Sequence, residues 1–160
     1  MRHVSLLVCG EPMRGDDAVA AQILAALPAT TRRLVDVRNV SGLMPDDLLE
    51  TQGPVIVLDA VHGPAAGTVV DLPLDRLGGL VEAGASPGSS HALPLPMVLR
   101  IVEHLAGGLP EGRFIGVAGS SYALGAPLSH PALAAVAPAA ARLGHWIRVL
   151  AHPRTAARCA

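Results

Sequence analysis

The chain has 160 residues and a formal net charge of −1, and 51% of its residues are apolar. That length suits one domain with a sizeable core, and the charge balance offers no basic surface to neutralise phosphates, which argues against nucleic acid as a partner. The only aromatic residues are Phe114, Tyr122 and Trp146, so the core is built from Ala, Val, Leu and Ile, a composition that suits helices laid on a parallel sheet.

Val4–Ser5–Leu6–Leu7–Val8 has the length and composition of a strand buried on both faces. Gly10, Pro12 and Gly15 break that pattern, the carboxylates Asp16 and Asp17 follow, and Val19, Ile23, Leu24 and Leu27 carry a helical repeat. The stretch reads as strand, tight turn, acidic pair, helix. Ligands in open α/β sheets bind outside the carboxyl ends of the strands, so Asp16 and Asp17 are expected at the mouth of a site. Asp is also a preferred helix cap. A cap accounts for one of the two and leaves the other unexplained.

Pro28 to Thr31 form a connection, and Leu34 to Val40 alternates as a strand exposed on one face would. A short helix over Met44–Glu50 begins with Pro45, Asp46 and Asp47, whose acidity helix-start chemistry explains. Val55–Ile56–Val57–Leu58 is the most strand-like run and ends in Asp59. His62 falls in the next loop, a solvated position. Thr68–Leu72 reads as an edge strand that pairs with its predecessor as a hairpin.

Gly78–Ser90, rich in Gly, Ala and Ser, reads as a surface loop that ends in Ser89–Ser90–His91. A helix starting near Pro94 or Pro96 runs to Leu105. Arg113–Ala118 is a buried strand leading into Gly119–Ser120–Ser121, and a last helix spans Pro131–Leu150. Residues 151–160 read as a flexible polar tail, which leaves 1–150 as a single domain. The order predicts an α/β fold, a three-layer sandwich with a twisted, mostly parallel sheet of about five strands flanked by helices.

No apolar run reaches the roughly 18–20 residues that span a bilayer. The first run is too short for a signal peptide, so the expectation is a cytoplasmic protein with no membrane association. Cys9 and Cys159 stand near opposite ends, which implies no disulfide framework. Cys9 reads as a small core residue rather than a nucleophile.

Asp16/Asp17, Asp59 and His91 share one topological address, the ends of strands or the start of a helix, and converge at one sheet edge if those strands are neighbours. Two carboxylates and an imidazole suit a divalent transition metal such as nickel or zinc, with positions left open for substrate or water. Plainer readings stand beside this one. Asp59 would serve as an acceptor for loop amides, and His91 as a polar loop cap. A Gly-x-Ser-x-Gly elbow and a Gly-x-x-x-x-Gly-Lys loop are absent, and Gly10 to Gly15 lacks the spacing of a dinucleotide fingerprint.

Gly10 through Gly15–Asp16–Asp17, Val55–Ile56–Val57–Leu58–Asp59–Ala60, and Ser89–Ser90–His91 before a helix together resemble the hydrogenase maturation proteases. Ile115–Gly116–Val117 and Leu128–Ser129 add to the likeness, which covers about residues 4–148. Members of that family remove a short C-terminal extension from the large subunit of nickel–iron hydrogenases. The resemblance implies a nickel-dependent processing endopeptidase of aspartic type, a cytoplasmic monomer whose partner is a hydrogenase large-subunit precursor. It further implies Asp17, Asp59 and His91 as the metal-binding trio, Asp17 and Asp59 as the catalytic residues, and nickel supplied by the substrate. Whether each carboxylate acts as ligand or base stays open. Departures from the pattern are Glu11 where members carry Asn, Ala66–Gly67 in place of Pro-Gly, and an Ala118–Ser121 segment without the usual acidic residue and proline. They motivate a second reading, a non-catalytic assembly factor that binds metal or precursor through the same cleft. A small nucleotide-binding α/β module is a third.

Overall fold

The computed structural model describes residues 2–78 and 93–152. Strands β1 (Val4–Cys9), β2 (Val35–Val40), β3 (Val55–Val61), β4 (Val69–Pro73) and β5 (Gly112–Ala118) form one sheet in the order β2-β1-β3-β5-β4. β1, β2, β3 and β5 pair in parallel, and β4 runs antiparallel to β5 at one edge. Among the described residues the helices are α1 (Val19–Ala26), α2 (Ala29–Arg32), α3 (Pro45–Leu49), α4 (Leu74–Gly78), α5 (Leu95–Ala106) and α6 (His130–Ala151), with a 3-10 turn at Gly15–Ala18 ahead of α1. None of them is long and apolar enough to cross a membrane.

The apolar strands put side chains into two separate cores, because successive residues of a strand face opposite sides. Leu6, Val8, Ile56, Leu58, Ile115 and Val117 join α1 and α6 on one face. Leu7, Cys9, Val55, Val57 and Phe114 join residues of α3, α4 and α5 on the other. Each fully buried Leu, Ile or Val contributes about 1.5–3 kcal/mol. The result is the expected three-layer α/β sandwich with a mostly parallel five-stranded sheet.

The connections position the site. The chain leaves β1 through α1, whose Val19, Ala20 and Ile23 lie in one core, to reach β2 on one side. It then returns past α3, whose Leu48 lies in the other core, to β3 on the far side of β1. The order therefore reverses between β1 and β3, and a crevice opens beyond their carboxyl ends, where open α/β sheets bind ligands.

Several local expectations need correction. β3 does not end at Asp59; it continues through Val61 because β5 pairs with it as far as Val61↔Ala118. β4 lies at an edge as expected but makes no hairpin with β3, whose free side is taken by β5. Asp71 holds that edge: Arg113 donates to its Oδ1 from Nη2 (2.6 Å) and Nε (3.0 Å), and Trp146 Nε1 donates to its Oδ2 (2.9 Å). The Arg113 guanidinium lies 3.9 Å from the Trp146 ring centroid. The connection after α1 contains the turn of helix α2, and Leu74–Gly78 is helical where sequence gave no sign of it. Val37 on β2 is 39% exposed because that strand is the other edge.

Candidate functional site

The turn from β1 into α1 is set by Gly10, at φ +108°, where a Cβ would run into the Asp17 carbonyl oxygen. Glycine alone takes that conformation cheaply. The chain then folds back so that the Glu11 amide donates to Asp17 Oδ2 at 2.8 Å, fixing the carboxylate at the crevice. Asp17 is half-buried. Asp59 lies on β3, the neighbour of β1, one position past the registered pair Val8↔Leu58. Its Oδ1 accepts from the Ala60 amide at 2.7 Å. Among the described residues no hydrogen bond occupies the second oxygen of either carboxylate.

The electrostatics of Asp59 differ from those of an ordinary aspartate. Burial pushes its carboxyl up to about 7; the Ala60 amide opposes this, and the negative charge of Asp17 adds to it. The acidic pair behind β1 behaves differently. Asp16 is fully buried, and it does not cap its own helix. Its Oδ2 accepts from Ser120 N (2.7 Å), Ser121 N (3.0 Å) and Ser129 Oγ (2.7 Å), and its Oδ1 from Ser129 N (2.6 Å). Burial raises this carboxyl, but the Ser120 and Ser129 amides, the Ser129 hydroxyl and the Ser121 amide outweigh it and hold it below the usual aspartate value. Asp16 thus does not stand at the mouth of the site. That position belongs to Asp17 alone.

Around the crevice, the Tyr122 hydroxyl donates to the Val61 carbonyl (3.1 Å), and its ring stacks on exposed His62 at 4.1 Å between centroids. Burial, more than the surrounding carboxylates, pushes the Tyr122 phenol up to about 12, so it remains a donor. A shallow groove runs from Asp17 along the ends of β1 and β2, lined by Glu11, Pro12, Ala21, Asn39 and Ser41 among others. A roomier groove outside α5 contains none of the candidate residues. Cys9 is buried, and desolvation together with Asp59, Asp47 and Asp17 pushes its thiol far up, which makes it a core residue as expected.

No family model and no curated protein matches the sequence. Solved structures do match its shape. The hydrogenase maturating endopeptidase HybD from E. coli aligns over 92% of this chain and 93% of its own, with a TM-score of 0.70 and 23% identity. The [NiFe] hydrogenase maturation protease HybD from Thermococcus kodakarensis gives 0.68 over 92% and 99%, at 20% identity. The maturation protease HycI from the same organism gives 0.60 over 91% and 92%, at 21% identity. The chain has the fold of the hydrogenase maturation endopeptidases.

Within that fold, Asp17 and Asp59 lie near the carboxyl ends of the neighbouring strands β1 and β3, close enough for the Asp17 charge to act on Asp59. His91 lies outside the described residues, as do Ser89, Ser90, loop positions 79–88 and tail residues 153–160. Among the described residues, no three His, Cys, Asp or Glu side chains are arranged to hold a cation. Sequence reasoning missed the partners of Asp16. Ser129 alone carried a signal, a serine two residues before Pro131, and it is indeed the cap of α6, where its Oγ accepts from Ala132 N (3.4 Å).

Proposed function

We propose that the protein is a processing endopeptidase that removes the C-terminal extension of a nickel–iron hydrogenase large-subunit precursor and recognises the nickel already inserted there. The observation that carries this reading is that Asp17, in the turn after β1, lies close enough to Asp59, near the end of neighbouring β3, for its charge to raise that carboxyl, each having one carboxylate oxygen that no described residue occupies. Free carboxylate oxygens, with the imidazole of His91 as third donor, form a ligand set suited to a transition metal presented by the substrate. Nickel is substrate here, held by the precursor and gripped from one side by this chain. The grip fixes the scissile peptide bond near the carboxylates.

Asp59 supplies the proton chemistry. Before the metal-loaded precursor arrives, burial holds this carboxyl at about 7, so it exchanges its proton near neutral pH, where a general base is most effective. Acting as base in place of a ligand role, with Asp17 and His91 left to hold the metal, its free oxygen takes a proton from water as the water oxygen attacks the peptide carbonyl carbon. The same proton then passes to the leaving amine nitrogen as the C–N bond breaks. Asp17 raises Asp59 by its charge and offers an oxygen donor to the metal. The likeness in fold to proteins named as maturation endopeptidases supports the same reading.

The test is to incubate the purified protein with nickel-loaded and nickel-free precursor and to read the C-terminus by mass spectrometry. The expected result is shortening of the loaded form alone, abolished by Asp17→Asn, Asp59→Asn or His91→Ala. Equal cleavage of both forms refutes metal recognition. Stoichiometric binding without shortening refutes the peptidase and leaves a non-catalytic assembly factor.

A further inference from the structure

We infer that Asp16 is a positioning residue: its buried carboxylate clamps the β5–α6 loop onto the β1–α1 turn and so fixes the two site carboxylates relative to each other. The consequence for catalysis rests on the peptidase reading; the geometric claim does not.

The clamp joins segments far apart in sequence. Four donors from Ser120, Ser121 and Ser129 converge on Asp16, and the Asp16 amide returns a bond to the Ser121 carbonyl at 2.8 Å. The Gly125 amide adds a bond to the Met13 carbonyl at 2.7 Å. Gly119 lets the two backbones approach, since a Cβ there would sit 2.7 Å from Asp16 Cβ. From this loop two bonds run to the end of β3, Gly119 N to Val61 O (3.2 Å) and Tyr122 Oη to Val61 O (3.1 Å). Val61 is two residues from Asp59, and Asp16 is bonded through the chain to Asp17. One buried group therefore connects both sides of the crevice.

A neutral cap or an apolar contact would hold the loop less tightly. A carboxylate accepts four donors with charge-assisted strength, and Ser129 places it at the N-terminus of the 22-residue α6, where negative charge is favoured. Replacing it by an amide turns two acceptor sites into donors that face the Ser120, Ser121 or Ser129 donors. The loop then releases, and the turn carrying Asp17 loses its backing.

The test compares Asp16→Asn with Asp71→Asn, which breaks the half-buried acid network on the edge strand β4, separated from β3 by β5. Amide hydrogen exchange is read at Glu11, whose amide bonds to Asp17, and at Ser120 and Ser121. Expected in Asp16→Asn is exchange at least about tenfold faster at those three amides, beyond any change at β1 and β3, and none of this in Asp71→Asn. On loaded precursor, kcat falls at least about tenfold with KM within about twofold, the pattern of lost positioning rather than lost binding. Glu11 exchange that changes no more than in Asp71→Asn overturns the inference. If the wild type does not cleave, the peptidase reading fails and the exchange result still decides the clamp. Should Asp16→Asn not fold, Ser129→Ala, which deletes one of the four donors, is expected to move the same amides in the same direction by a smaller factor, and no movement there is equally fatal.

Discussion

Replacing Asp59 by Asn is expected to make the protein more stable while destroying the proposed activity. The carboxyl sits at about 7 in the folded chain against an ordinary 3.8. Between those values the folded state holds a proton that the unfolded state releases. Stability therefore falls as pH rises from about 4 to about 7, and the loss is complete above 7. The displacement is about 3 in pH and each pH unit is worth 1.36 kcal/mol, so the deficit at pH 8 approaches about 4 kcal/mol. Water reaching a half-buried carboxyl reduces that to about 2–4 kcal/mol. Asn copies the shape of the neutral acid and still accepts from the Ala60 amide, so it avoids the deficit. Urea unfolding of parent and variant from pH 4 to pH 8, with m held equal, gives the difference directly. The variant is expected to match the parent at pH 4 and to exceed it by about 2–4 kcal/mol at pH 8, a rise in Tm of roughly 5–10 °C. Taking the difference cancels Asp16, whose lowered carboxyl acts in the opposite sense and costs stability only as pH falls. A difference that stays flat from pH 4 to pH 8, or a variant less stable than the parent at pH 8, would refute the burial argument for Asp59.

Gly10→Ala forces a Cβ against the Asp17 carbonyl at positive φ and is expected to cost about 2–4 kcal/mol in urea unfolding; a cost under about 0.5 kcal/mol contradicts the turn geometry. Leu143, fully buried where α6 meets the sheet, is expected to cost about 2–5 kcal/mol as Leu143→Ala, read the same way, and a near-neutral result would mean that the α1–α6 core is not as drawn. In a Cys159→Ser background, Cys9 is expected to resist a thiol reagent at pH 8 until denaturant is added; reaction at the rate of an exposed thiol would reopen thiol chemistry at the crevice.

The parts legible in the sequence are those that depend on neighbours along the chain. β1, β3 and β5 announce themselves as short apolar runs because a central parallel strand buries both faces, and the strand–helix alternation then forces the layered fold. Alternation does not give the strand order, so the expectation that Asp17 and Asp59 share one edge hangs on β1 and β3 being neighbours, which they are. Pairing partners are a different matter. Nothing within Val69–Pro73 says whether it lies beside β3 or β5; that depends on which strand first occupies the β3 edge. Nor could Leu34 to Val40 reveal that its Val37 lies at an edge and not under a helix.

Asp16 and Asp59 show most clearly what local reading lacks. Both are aspartates near strand ends, and both lose water on folding. Asp16 receives four donors, three of them backbone amides, from residues 104 to 113 positions away, and its carboxyl is held low. Among the described residues Asp59 receives one, from the residue beside it, and its carboxyl rises. Donor count, a property of the assembled fold, separates a permanent structural anion from a group able to trade a proton near neutral pH. Asp17, next in sequence to the first and near enough to the second for its charge to act there, faces the crevice because the residue before it is anchored inward. The arrangement requires one of two adjacent acids to be sacrificed to structure so that the other can be aimed. That division of labour is why an acidic pair, more than a helix cap requires, stands at this turn.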